Sequence, residues 1–191
     1  MDRKIRQVRS LPTRFRAAED NGEKYIEGYF ATFSGVYELW PGATESVDSH
    51  AFDDALAGDI RALIDHKTRL VLGRNKAGTL ELKVDSRGLW GRITINQSDT
   101  DAMNLYARVQ RGDVDQCSFG FDILDEKPEY REDGTIHWTI MSVELHEVSC
   151  VTFPAYEDTS IAARKKDFDQ IKTRQIQAWR TKTKERLQKW H

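Results

Sequence analysis

Three polar residues set inside apolar runs mark where this chain could do chemistry. His66 closes the run Leu63-Ile64-Asp65-His66, and Ser118 lies within the run from Val114 to Leu124. Glu147 sits in Val143-Glu144-Leu145-His146-Glu147-Val148-Ser149-Cys150-Val151. Burying a carboxylate is costly unless it is paired or protonated, so polar groups in such strands need a reason. One reason is nucleophilic catalysis. A serine hydroxyl is a weak nucleophile; it needs a base for its proton, and the base needs a third group to hold its tautomer. Ser118, His66 and Glu147 would fill those roles. Strand ends reaching solvent would account for the same residues, and spacing alone does not separate the two readings. Cys117 is the rival nucleophile, but strand alternation points it into the core, where a thiol is inert.

Other chemistries find less support. The five histidines, His50, His66, His137, His146 and His191, show no metal-ligand spacing. The two cysteines, Cys117 and Cys150, alone hold no structural zinc and make no disulfide scaffold. Neither glycine-rich phosphate-loop pattern occurs. No cofactor and no metal are therefore expected.

The elements that must position these residues are mostly strands. Met1 to Asp20 reads as an arm or edge segment. Lys24 to Phe33 alternates around aromatics and predicts a strand, and Ser34 to Val47 predicts a loop with turn signals at Gly35 and Pro41-Gly42. Ser49 looks like the N-cap of a helix ending at Gly58. Short apolar or alternating runs follow at Arg61 to Asp65, Leu70 to Leu72, Thr79 to Val84 and Leu89 to Ile95. Thr100 to Arg111 carries Ala102, Leu105, Tyr106 and Val109 at helical spacing, with Gly112 as the stop. Val114 to Leu124 predicts a strand, Asp125 to Gly134 a polar turn, and Thr135 to Phe153 one long or bent strand that Pro154 ends. Lys165 to Trp190 predicts a partly amphipathic helix. Many short strands interrupted by two helices argue an α+β fold with a mostly antiparallel, barrel-like sheet.

Within Val114 to Leu124, alternation places Cys117, Phe119, Phe121 and Ile123 on the core face. Ser118 lies opposite, with Gln116, Gly120 and Asp122. The same counting puts Glu147 with Val143, Leu145 and Val151, on the more apolar face of its strand. Either both faces of these strands are covered, or a bulge intervenes.

Composition bounds the rest. With 39% apolar residues and 12 glycines in 191, the chain buries a real core. No apolar run is long enough for a membrane-spanning helix. The basic N-terminus lacks the apolar stretch of a secretory signal, so a cytoplasmic location is expected. The formal charge of -2 conceals an asymmetry: residues 161–191 hold ten Lys or Arg against three acids, leaving -9 for residues 1–160. Such a tail suggests either its own partner or a solvated surface helix. Nucleic-acid binding through Trp179 and Trp190 is disfavoured, because the acidic body repels phosphate.

Three ordered segments resemble the prohead proteases of tailed bacteriophages, the serine proteases of capsid maturation. They are Ala62-Leu63-Ile64-Asp65-His66 with Leu72-Gly73-Arg74, then Gln116-Cys117-Ser118-Phe119-Gly120-Phe121, then Glu144-Leu145-His146-Glu147-Val148-Ser149-Cys150-Val151-Thr152-Phe153-Pro154-Ala155. The resemblance covers roughly residues 10 to 163. It implies a fold akin to the herpesvirus assemblins, His66 as catalytic histidine, Ser118 as nucleophile, and Glu147 as third member, with the adjacent His146 as its competitor. Arg74 or Arg164 would be the charged candidates for oxyanion stabilisation. It implies a protease domain over 1–163 followed by a basic tail over 164–191, and a site of action inside the assembling procapsid in the host cytoplasm. Major capsid protein and scaffold would be the partners, self-association would be a further contact, and self-cleavage would remove flanking segments. The competing function is a non-catalytic assembly factor of the same fold that acts through its tail.

Overall fold

The computed structural model describes residues 7–11 and 16–153, together with Lys165, Asp169, Thr173, Gln177 and Arg180. Two compact units divide the chain, Met1–Tyr156 and Glu157–His191. In the second, the five described residues are helical and exposed, and the Thr173 hydroxyl donates to the Asp169 carbonyl at 2.7 Å. The rest of the helix expected over 165–190, and Pro154, lie outside the described residues.

The first unit is built of strands. They are β1 (Gln7–Leu11), β2 (Arg16–Asp20), β3 (Glu23–Thr32), β4 (Val36–Trp40), β5 (Ala43–Val47), β6 (Arg61–Ile64), β7 (Lys67–Arg74), β8 (Leu80–Val84), β9 (Gly88–Thr94), β10 (Gln116–Tyr130) and β11 (Ile136–Val151). They form a seven-stranded sheet containing β1, β4, β5, β6, β7, β10 and β11, and a four-stranded sheet in the order β2-β3-β9-β8. One helix, α1 (Thr100–Arg111), is the only α-helix described in this unit. The fold is α+β and mostly antiparallel; the parallel pairings are those of β11 with β5 and β6.

One core joins the two sheets. Ile26, Phe30, Leu89 and Ile93 come from the smaller sheet; Phe119, Phe121, Ile140, Val148 and Cys150 come from the larger. Phe119 stacks on Phe121 at 4.7 Å between centroids and meets Phe52 edge-on at 5.7 Å. Helix α1 contributes the four residues its periodicity predicts, Ala102, Leu105, Tyr106 and Val109. Asp99 caps it by accepting from the Asp101 and Ala102 amides, and Gly112 ends it in the left-handed conformation at φ 87°.

Three segments depart from expectation. Ser34 to Val47 is not a loop but the hairpin β4–β5, turned at Pro41-Gly42. The turn signal was real, and pairing supplied the strands on either side. No α-helix starts at Ser49. Asp48 caps instead, accepting the His50 amide at 2.9 Å, and successive turns close i to i+3 bonds as far as Gly58, including a short 3-10 turn at Ala55–Ala57. These turns bury Ala51 and Phe52 beneath β11 without the length a helix needs. Thirdly, β10 runs to Tyr130, so the polar turn expected over Asp125 to Gly134 shortens to the loop before Ile136.

Strand β11 is the organiser. Along its length it pairs with β10; on its other side Ile136 to Ile140 pair with β5 and Glu147 to Cys150 pair with β6. Where Gly120 faces Glu147, the next residue Phe121 faces Leu145, so His146 is an extra residue in β11. This β-bulge restarts the alternation. Leu145 joins the core with Phe121, whereas Glu147 turns to the face of Gly120 and Ser118.

Candidate active site

Each site residue owes its place to one of these features. Ser118 and Ser149 are direct partners across β10 and β11, and Ser149 is in turn the partner of Leu63 in β6. Directly paired residues share a face, so Ser118, Ser149, Glu147 and Leu63 belong to one side of the sheet. His66 sits at the tip of the β6–β7 hairpin. Ile64 pairs with Lys67, leaving Asp65 and His66 as a two-residue turn with φ of 47° and 58°. Both are left-handed, as a type I′ turn requires, and neither is glycine. Asp and His are among the residues that tolerate this region, at a cost of about 1 kcal/mol or more each. Strain of this kind is held only where the surroundings over-determine it. Here the Asp65 amide donates to the Cys150 carbonyl at 3.0 Å, and Asp65 Oδ1 accepts the Thr152 amide at 2.9 Å.

The tip brings His66 onto Glu147, with Nδ1 and Oε1 2.7 Å apart. A carboxylate only accepts, so Nδ1 carries the proton and Nε2 presents its lone pair. That Nε2 is buried and without a hydrogen-bond partner among the described residues. Glu147 is 2% exposed, and its second oxygen accepts the Ser149 hydroxyl at 2.6 Å. Ser118 is fully buried on the adjacent strand. Its hydroxyl does not reach His66; it donates to the Arg9 carbonyl of β1 at 2.8 Å.

The competing residues have other partners. His146 Nε2 pairs with Asp122 Oδ2 at 3.1 Å. Alternation alone would put His146 and Glu147 on opposite faces, but the bulge makes both line an open cleft of about 500 Å³, together with Asp59, Arg61 and Asp122. Arg74 is held by Asp59 through Nε at 2.7 Å and Nη2 at 2.8 Å. That hydrogen bonding draws the Asp59 carboxyl down to about 2. Arg164 lies outside the described residues. Cys117 is buried, with its thiol donating to the Tyr29 carbonyl at 2.9 Å. Burial pushes the Cys150 thiol far above its ordinary value.

Two parts of the site escaped sequence reading. The Ser149 hydroxyl on Glu147 had a signal, because i and i+2 in a strand share a face. The β1 carbonyl over Ser118 had none, since backbone groups leave no residue signature. Asp122, Glu144 and His146 bring one donor atom each within 4.8 Å, the only group among the described residues placed to hold a metal ion. Within it His146 Nε2 already meets Asp122 Oδ2 at 3.1 Å, while the buried Asp122 Oδ1 has no hydrogen-bond partner among the described residues.

Comparison with known proteins gives first the class and then the family. The chain is a serine protease. Residues 11–174 match the sequence model of the caudovirus prohead serine proteases, and the chain belongs to that family. The prohead protease of Enterobacteria phage HK97 is 30% identical over 158 residues, covering 80% of this chain and 67% of that protein. The capsid assembly protease of bacteriophage T4, gp21, superimposes with a TM-score of 0.50 over 78% of this chain and 98% of its own, at 11% identity. At that identity the likeness is one of fold.

Proposed function

We propose that this chain is an endopeptidase that cleaves capsid and scaffold proteins inside an immature procapsid in the host cytoplasm, with Ser118 as nucleophile, His66 as base and Glu147 as the group that orients it. One observation carries the assignment of roles: His66 Nδ1 is anchored on the buried Glu147 carboxylate while Nε2 has no hydrogen-bond partner among the described residues, and β11, which bears that carboxylate, lies between β6 and the strand that bears Ser118. In the first half-reaction Ser118 Oγ bonds to the scissile carbonyl carbon as its proton passes to Nε2. The imidazolium so formed is stabilised by Glu147 and returns the proton to the leaving amine, which departs with the C-terminal product. A water then repeats the sequence on the acyl-enzyme, its proton going to Nε2 and on to Ser118. A buried carboxylate suits this role, since its interaction with the transient cation is little screened.

The same reading places the catalytic domain in residues 1–163 and a recruitment tail in 164–191. Kinship with the herpesvirus assemblins is part of it, supported by a serine and a histidine presented from strands flanking one central strand. The test is a fluorophosphonate and a cleavage assay on purified capsid protein. Labelling is expected at Ser118, and Ser118→Ala is expected to be inert in both. Near-normal cleavage by Ser118→Ala removes the nucleophile assignment.

A further inference from the structure

Two carboxylates stand directly opposite one another where β10 pairs with β11: Asp122 is the cross-strand partner of Glu144. Like charges in such a pair repel, and the sheet keeps them at a cost unless positive charge lies against them. Among the described residues no lysine or arginine supplies it. Glu144 is exposed and makes no ion pair, and Asp122 is ion-paired with His146 alone, Oδ2 to Nε2 at 3.1 Å. Arg61, the cation lining the same cleft, is paired with Asp59 at 3.2 Å. The second carboxylate oxygen of Asp122, Oδ1, is buried and has no hydrogen-bond partner among the described residues. A carboxylate oxygen removed from water and left without a donor is destabilising, and a bound cation is what would satisfy it.

The bulge brings the third donor. As the extra residue of β11, His146 leaves the regular alternation, so an imidazole joins the two carboxylates. One donor atom from each of the three residues lies within 4.8 Å of the others. Bond lengths of about 2.0–2.2 Å put the donors of one ion at most about 4.4 Å apart, so a small swing of the exposed Glu144 completes the set. One imidazole with two carboxylates suits zinc or a first-row transition ion, whereas magnesium and calcium take oxygen ligands. The open cleft of about 500 Å³ beside Asp122 and His146 admits water as a further ligand. The chain shows no metal-ligand spacing because these donors come from two strands and a bulge.

We propose that Asp122, Glu144 and His146 bind a divalent cation, zinc or a first-row transition ion, which ties β10 to β11 at the bulge beside Glu147. The ion takes the place of the hydrogen between His146 Nε2 and Asp122 Oδ2, which is released as a proton. It neutralises the repulsion between Asp122 and Glu144 and supplies the positive charge that Oδ1 lacks. The site stands apart from the catalytic assignment, since it needs neither Ser118 nor His66.

The experiment uses the full chain, stripped of metal with a chelator and dialysed, with zinc and cobalt(II) as the probes. Titration calorimetry should give one site per chain, and cobalt(II) should develop visible absorption bands that zinc abolishes by displacement. Asp122→Asn, Glu144→Gln and His146→Ala should each weaken zinc binding at least about tenfold, a loss seen even when a group that only supports a ligand is removed. His66→Ala should bind as the wild type does, and so should His50→Ala, which removes the exposed pair of His50 with Asp53. Thermal unfolding adds a reversal of order that a merely structural role does not produce. Without metal, Glu144→Gln should melt no lower than the wild type, because repulsion from Asp122 is relieved. With excess zinc it should melt lower, because only the wild type gains fully from binding. Wild-type affinity in all three ligand variants ends the proposal, as does the same melting order with and without zinc. Binding lost in His50→Ala or His66→Ala but kept in Glu144→Gln places the ion elsewhere and overturns the site. Calcium binding more tightly than zinc removes the imidazole as a ligand and overturns it too.

Discussion

The Ser118 hydroxyl donates to the Arg9 carbonyl at 2.8 Å in the structure. Under the proposed mechanism that proton passes instead to His66 Nε2, which has no hydrogen-bond partner among the described residues. Residues that act on one proton act as a unit, so their losses do not multiply. Ser118→Ala and His66→Ala are each expected to lower kcat by about a million-fold, and the double variant by no more. Multiplied losses in steady-state cleavage would mean independent roles. Glu147→Gln keeps the shape but cannot hold the imidazolium, and about 10,000-fold is expected. His146→Ala, whose partner is Asp122, should lose far less; a larger loss than in Glu147→Gln would move the third role to His146. Ser149 is a positioning residue for Glu147. Ser149→Ala should lower kcat by about tenfold with KM unchanged, the worth of one hydrogen bond to a charged group, and Ser149→Thr should recover it. The thiols are bystanders: iodoacetamide at about pH 8 should leave Cys117 and Cys150 of the folded protein unmodified, since both are buried.

Two irregularities at the scale of elements do the positioning: the bulge at His146 and the left-handed tip at Asp65-His66. Asp65→Val is the sharpest probe of the second. A β-branched residue at φ 47° is strained, and the tie to the Thr152 amide is lost. A stability loss of about 2 kcal/mol by denaturant titration is expected, with a fall in kcat well beyond that of a surface change. Asp65→Asn, which tolerates the conformation and keeps the acceptor, should retain most of both. The same two irregularities mark the limit of what the sequence discloses. His66 and Glu147 could be picked out because polar groups inside apolar strands are costly, and helix α1 because its apolar period is uninterrupted. The bulge could not be located, because a period of two has no marker for a restart. Counting straight along β11 sets Glu147 with Leu145 on the wrong face. The helix at Ser49 failed for the opposite reason, since local capping signals were present and tertiary docking of Ala51 and Phe52 overrode them. In the smaller sheet, Glu27 joins Arg16 of β2 and Arg92 of β9. Burial raises its carboxyl, but the hydrogen bonds of the two arginines outweigh that and leave it below its ordinary 4.5. A lowered carboxylate stabilises the fold above that ordinary value and ceases to as pH falls through the folded one. The melting temperature should therefore decline below about pH 4.5, and Glu27→Gln should be less stable at neutral pH with a shallower acid limb.

At the scale of the whole molecule, the catalytic candidates all fall in the unit Met1–Tyr156, while the excess of positive charge lies beyond residue 160. Lys165 and Arg180 are exposed in the described part of the tail, as a surface that binds through charge requires. A protease confined to a procapsid has to be brought there, and a basic helix can do so by docking on an acidic region of the scaffold. Deleting residues 165–191 should leave cleavage of capsid protein in solution largely intact, because the His66–Glu147 pair and Ser118 are built wholly from β6, β10, β11 and the hairpin tip. Incorporation into procapsids should fall instead. The attraction involved is screened beyond about 8 Å at physiological ionic strength, so recruitment of the intact chain to purified scaffold should weaken as salt is raised, and the truncated chain should show no such dependence. If the truncated enzyme is inactive in solution, the tail belongs to the catalytic fold. If it is active and packaged as well as the full chain, the tail is a solvated helix and recruitment resides in the acidic body.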